Sequence, residues 1–178
     1  RDYQRLCGHH PMEAAYTHAA IFLRDDRIVH ARPALTSRAL SGVRVDSLLA
    51  YWDHQDLSVL RSHNLSAFSR MEVALAAAAQ HGLPYDYAAI GRAVNHVLSL
   101  SAGISPSWID FLRLEQRPDR VHEALPTGHT CAQLVYEAYG EVDPTVLPPY
   151  SHAPLMLPAM LARTSSLFDP QLAEVTFT

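Results

Sequence analysis

The sequence predicts an α+β domain in which a small antiparallel sheet packs against several helices. Three observations predict it. The stretch 17–33, "THAAIFL-RDD-RIVHARP", sets two β-favouring segments around an acidic turn, the pattern of a hairpin. The stretches 66–82 and 130–140 each carry a hydroxyl cap at one end and glycine at the other, the pattern of helices. Strand-like and helix-like segments are mixed without strict alternation, so a parallel βαβ sheet is not expected.

The elements follow in chain order. Residues 1–16, with "CGHHPMEAAY", read as irregular. Pro33 closes the hairpin, because it cannot donate to a ladder. "TSRALSGVRV" contains a loop and a short strand, and "DSLLAYWDHQ" a brief helix capped by Asp46 or Ser47. "LSVLR" reads as a further strand. "SAFSRMEVALAAAAQHG" is a helix starting near Ser66 or Ser69, alanine-rich through Ala79 and stopped at Gly82. "RAVNHVLSLSAG" reads as a partly buried helix, 126–140 as a loop entering a helix, and "LAEVTFT" as a closing strand.

With 178 residues the chain forms one domain, 1–178, able to bury roughly two thirds of the surface its unfolded form exposes. A net charge of −4 argues against nucleic acid as a partner, since phosphate binding needs a basic field. All 14 basic residues are arginine, which excludes Schiff-base lysine chemistry and a phosphate-loop lysine. No apolar run is long enough to cross a bilayer. The 2 cysteines, Cys7 and Cys131, are too few for a disulfide framework.

Cys131 stands at the first position of its helix. Thr130-Cys131-Ala132-Gln133 matches a capping box, with the threonine hydroxyl accepting from the third amide and glutamine reaching back to the threonine N–H. Leu134, Val135, Ala138 and Tyr139 share one face, and Gly140 suits the end. Free amides and the helix dipole at this position lower a thiol pKa, and the same amides can hold an oxyanion. A small buried hydrophobe is the alternative reading of a free cysteine.

A base is available on the hairpin. With a three-residue connection (Arg24, Asp25, Asp26), Leu23 pairs with Arg27 and Ala20 with His30. His18 then lies diagonal to His30 on one face. A two-residue loop would place them on opposite faces. In the favourable register His18 takes the proton of Cys131 and His30 orients it. His129, two residues before the thiol, is a candidate cleft residue. The remaining histidines, His9, His10, His54, His63, His81, His96, His122 and His152, read as surface or satisfied positions.

Taken together, "THAAIFLRDDRIVHA", "GVRVDSLLAYWDHQDLSVLR", "AAAAQHGLPYDY", "CAQLVYEAY" and "MLPAMLARTSSLFD" resemble, in this order, the circularly permuted NlpC-type papain-like thiol hydrolases. The likeness is to the YiiX-like branch, with kinship to lecithin–retinol acyltransferase-like proteins, and spans residues 17–170. In that family the histidine strand comes first and the cysteine helix last. The resemblance implies Cys131 as nucleophile, His18 as base and His30 as the third polar residue. Tyr85 and Asp86 fall on a "Y-D" element with a structural or cleft-lining task, and Tyr150, in the proline-rich "LPPYSHAPLMLPAML" loop, on the substrate side. The turn Arg24-Asp25-Asp26 departs from the glycine-containing turn of relatives.

The expected activity is thioester-mediated hydrolysis without a cofactor. The resemblance implies an amidase or peptidase on peptidoglycan-type peptides, in keeping with a secreted or periplasm-delivered antibacterial effector and an immunity protein as its partner. A lipid-directed acyltransferase or esterase is the alternative; Leu155, Met156, Leu157, Met160 and Leu161 should then form an open apolar groove. In a different class, Cys131 with His18, His30 or His129 would bind zinc, or the fold would serve as an inactive binding module.

Overall fold

The computed structural model describes residues 17–33, 41–52, 59–62, 64–91, 128–147, 158 and 161. Its centre is a three-stranded antiparallel sheet in the order β1 (Ile21–Arg24), β2 (Arg27–Arg32), β3 (Gly42–Ser47). Helix α1 (Leu49–Trp52) follows β3, and the longer α2 (Ala67–Ala79) and α3 (Cys131–Val142) pack on each other and on the sheet. The chain is therefore α+β with a small antiparallel sheet, as its pattern predicts. Residues 1–16, the segments at 92–103 and 105–121, Tyr150 and the C-terminal strand expectation lie outside the described residues. Among the described residues, no helix is long and apolar enough to cross a membrane.

The hairpin differs from expectation at its tip. Arg24 pairs with Arg27, leaving a two-residue turn, and Asp25 takes a left-handed φ of 53°, a conformation aspartate tolerates better than most residues. The register then shifts between Phe22 and Arg24, so that Phe22 faces Ile28 and Ile21 faces Val29. This irregularity at Leu23 absorbs the residue by which the turn is shorter than expected. The body of the hairpin thus keeps the register that a three-residue connection would have set, and residues 17–20 run on beyond the ladder.

β2 is flanked on both sides and buries almost every side chain from Ile28 to Ala31. Val29 and Ala31, with Val43 and Ile21, join Val73, Ala77, Leu134, Val135 and Ala138 in one apolar core. Alanines at 74, 77, 132 and 138 let α2 and α3 approach closely. Ser66 caps α2 through its hydroxyl, which accepts from the Ser69 amide at 3.0 Å. Beyond α2 the chain turns at Gly82. The strand expected at 57–61 is absent where it is described, as 59–61 are irregular.

The segment 82–86 connects the sheet to the start of α3. The Gly82 amide donates to Val43 O, and Leu83 O accepts from the Val43 amide at 2.8 Å. On its far side, the His129 amide donates to Pro84 O at 3.0 Å and the Asp86 amide to His129 O at 3.2 Å, forming a Tyr85–His129 bridge. Two glycines permit this closeness. A Cβ at Gly42 would collide with the Leu83 carbonyl, and one at Gly128 with the Pro84 carbonyl. "GLPYD" therefore fixes the distance between β3 and α3.

Gly42 and Gly82 both have positive φ, 115° and 91°, but only Gly42 lacks room for a side chain. Gly82→Ala is expected to cost about 1–3 kcal/mol, the price of strain alone. Gly42→Ala should cost clearly more, because the Leu83 carbonyl must also move. Urea unfolding of the two variants measures the difference; equal losses would mean that the 82–86 contact contributes little.

Candidate functional site

α3 begins where the sequence places it. Thr130 is its cap, in extended conformation, and its hydroxyl accepts from the Gln133 amide at 3.4 Å. The capping box is only half formed. The Gln133 side chain turns away from the Thr130 amide and donates to Glu137 Oε1 at 2.9 Å, because a partner one turn along the same face is available. Gly140 does not end the helix, which runs to Val142 with Asp143 as its C-cap.

Cys131 is a free, buried thiol, 7% exposed. Burial pushes its pKa up, while hydrogen bonding from the backbone of Ala19, of Ala132 and of Cys131 itself pulls the other way. The sequence reading of a depressed thiol pKa is thus corrected: in a site this enclosed, desolvation outweighs the helix start. The Ala19 interaction locates the hairpin. The residue that follows His18 in the chain reaches the sulfur of Cys131.

His18 and His30 come together. His18 Nε2 lies 2.8 Å from His30 Nδ1, with the rings edge-on at 76° and centroids 5.0 Å apart. His30, fully buried, places its Nε2 3.0 Å from Asp46 Oδ2. Asp46 Oδ1 in turn faces Arg44 Nη2 at 3.9 Å. Nε2 of His18 is thus engaged by His30, while its Nδ1 has no part in that contact.

The electrostatics favour neutral rings. Desolvation of the ring, then the His30 and Arg32 charges, push His18 down from 6.5 to about 4, although His18 as a residue is exposed and solvent screens part of that shift. Burial also lowers His30, with the Asp46 hydrogen bond and charge opposing it and Arg32 and Arg44 adding to it. Burial thus favours the thiol of Cys131 and the neutral form of both imidazoles.

Asp46 is the residue that sequence reasoning missed, having been taken as a candidate helix cap. Ser47 does that work, its hydroxyl accepting from the Leu49 amide at 3.2 Å. The available signal was alternation. In "GVRVDS", Arg44 and Asp46 share one face, and the β2–β3 register sets Arg44 opposite His30 and Asp46 opposite Ile28.

The other expected site residues are placed differently. Tyr85 is buried, packs at 5.2 Å centroid distance on Tyr87, and has its hydroxyl pKa raised by burial and then by the Cys131 charge. It lies near the thiol as part of the wall. Asp86 caps the turn at 87–91, its Oδ1 accepting from the Ala89 amide at 2.9 Å. His129 is 2% exposed, with Nδ1 3.2 Å from Glu137 Oε2 but not aligned as a hydrogen bond. That position ties His129 to α3 and leaves it almost no contact with solvent. Tyr150 lies outside the described residues. Among the described residues no group of three or more His, Cys, Asp or Glu is arranged to hold a metal ion.

No family model matches the chain, and comparison with the curated proteins and with the solved structures likewise gives no match.

The neutral histidines set the response to acid. The unfolded chain takes up their protons near 6.5, the folded protein at lower pH, about 4 for His18. The contribution to stability is therefore complete above about pH 6.5 and is lost as pH falls toward 4, because the unfolded state binds more protons in that window. Urea midpoints should decline through this range, and less steeply in His18→Gln. An equal decline in both would mean that other groups carry the acid response.

Proposed function

We propose that the chain is a cysteine hydrolase acting through a thioester, with Cys131 as nucleophile, His18 as base and His30 as its orienting partner. The observation that supports this reading is that the Ala19 backbone hydrogen-bonds toward the Cys131 sulfur, one residue along the chain from His18 and its bond to His30.

The geometry supports a defined sequence of events. As the sulfur attacks a carbonyl carbon, its proton passes to His18 Nδ1, so that the thiolate forms during attack rather than at rest. The Cys131 and Ala132 amides, which already favour a negative sulfur, lie at the helix start where an oxyanion would develop. His18 then gives its proton to the leaving amine. Water attacks the thioester with His18 again accepting, and the departing sulfur regains the proton. Removing one oxyanion donor typically costs about 2.7–4 kcal/mol of barrier.

The resemblance to permuted NlpC-type papain-like proteins supports an amidase or peptidase on peptidoglycan-type peptides, acting as an antibacterial effector. The lipid-directed alternative requires an open apolar groove. Leu161, the one described member of the five residues named for it, is buried in the core, which favours the peptide reading. Zinc binding is disfavoured because His30 spends both ring nitrogens, on His18 and on Asp46.

Cys131→Ala should abolish turnover with the fold retained, and His18→Ala should lose more activity than His30→Ala, since an orienting residue is partly replaceable. Mass spectrometry of muropeptides and of lipid extracts, incubated with wild type or with Cys131→Ala, checks both class and substrate. Cleaved muropeptides in the wild-type sample alone are expected. Turnover by Cys131→Ala would remove the nucleophile assignment, and modified lipid alone would move the proposal to the acyltransferase reading.

A further inference from the structure

We infer that Asp46 is a positioning residue which, through His30, dictates which ring nitrogen of His18 is free to take a proton. The inference rests on the thiol-hydrolase reading for its catalytic meaning, but its structural content stands on three adjacent side chains.

A carboxylate can only accept a hydrogen bond. With Asp46 Oδ2 at 3.0 Å, His30 Nε2 must be the protonated nitrogen, and a neutral His30 then has a bare Nδ1. Since His18 Nε2 lies 2.8 Å from that bare nitrogen, it must be the donor. Neutral His18 therefore carries its proton on Nε2, and its lone pair falls on Nδ1. These tautomers are assigned from the hydrogen-bond network, and each assignment forces the next. One carboxylate, two rings away, makes Nδ1 of His18 a base.

The same network makes the imidazolium tolerable once it forms. A charged His18 donates to His30, which is polarised by its bond to Asp46. The charged groups facing the relay from the described elements are Arg32 on β2, and Arg44 and Asp46 on β3. Both arginines oppose an imidazolium, so Asp46 is the group that favours it.

Asp46→Asn separates charge and hydrogen-bond direction from shape. Arg44 Nη2 faces Asp46 Oδ1 at 3.9 Å, and a guanidinium offers only donors. With its oxygen turned toward the Arg44 guanidinium, the new amide presents its NH₂ to His30. His30 must then accept at Nε2, carry its proton on Nδ1 and donate to His18. The proton of His18 moves to Nδ1, the atom that should have been the base.

The experiment is long-range ¹H–¹⁵N correlation of the histidine rings in the 178-residue chain at neutral pH, with His18 and His30 assigned by His→Gln spectra. Turnover of muropeptides is measured alongside. In the wild type both rings should be protonated at Nε2; in Asp46→Asn both should move to Nδ1, with turnover down on the order of 10³-fold. A wild-type His18 protonated at Nδ1 overturns the inference without need of any variant, and so does an Asp46→Asn protein that folds and keeps Nε2 protonation. If Cys131→Ala retains turnover, the hydrolase reading falls while the spectra still decide the tautomers.

Discussion

The hydrogen bond between the rings of His18 and His30 is the contact on which the rest of the site depends. It joins a residue just ahead of β1 to the centre of β2, and it can form only if the hairpin register puts the two on one face. The two-residue turn at Asp25–Asp26 would by itself set the wrong parity. The shift at Leu23 corrects it. A local irregularity in the ladder thus determines whether an imidazole pair exists.

A fully buried histidine is costly unless its polar atoms are matched, since leaving one of them unpaired costs about 1–3 kcal/mol. His30 meets this demand with His18 on one nitrogen and Asp46 on the other. The sheet supplies all three: the approach to β1, β2 and β3 carry one residue each. The thiol comes from elsewhere. α3 is held to the sheet by the alanine-lined packing against α2 and by the 82–86 segment, which hydrogen-bonds β3 on one side and the residue before Thr130 on the other. The placement of the start of α3 beside the sheet follows from that bridge rather than from the site side chains themselves.

The sequence made the helix starts legible, because Ser66 and Thr130 are caps whose chemistry is local. The His18–His30 pairing was legible only in part, because alternation allows it for a three-residue connection and the observed two-residue turn reaches it only through the shift at Leu23. What it did not reveal depends on contacts across the chain. Asp46 reads as a cap until β3 is laid beside β2. Gln133 reads as half of a capping box until Glu137 competes for it. The raised thiol pKa of Cys131 requires knowing how deeply α3 is covered, and position in the helix alone pointed the other way. Tyr85, Asp86 and His129 are joined through backbone bonds that no side-chain pattern records.

The central claim is that the imidazole of His18 reaches the sulfur of Cys131 and assists its ionisation. The most direct measurement is the rate of Cys131 alkylation by iodoacetamide at neutral pH, in wild type and in His18→Gln, followed by peptide mass. A general base acting on a thiol whose own pKa is raised predicts a clear slowing when the imidazole is replaced. Equal rates in the two proteins would contradict the account, because they would mean that the ring and the thiol do not share a proton.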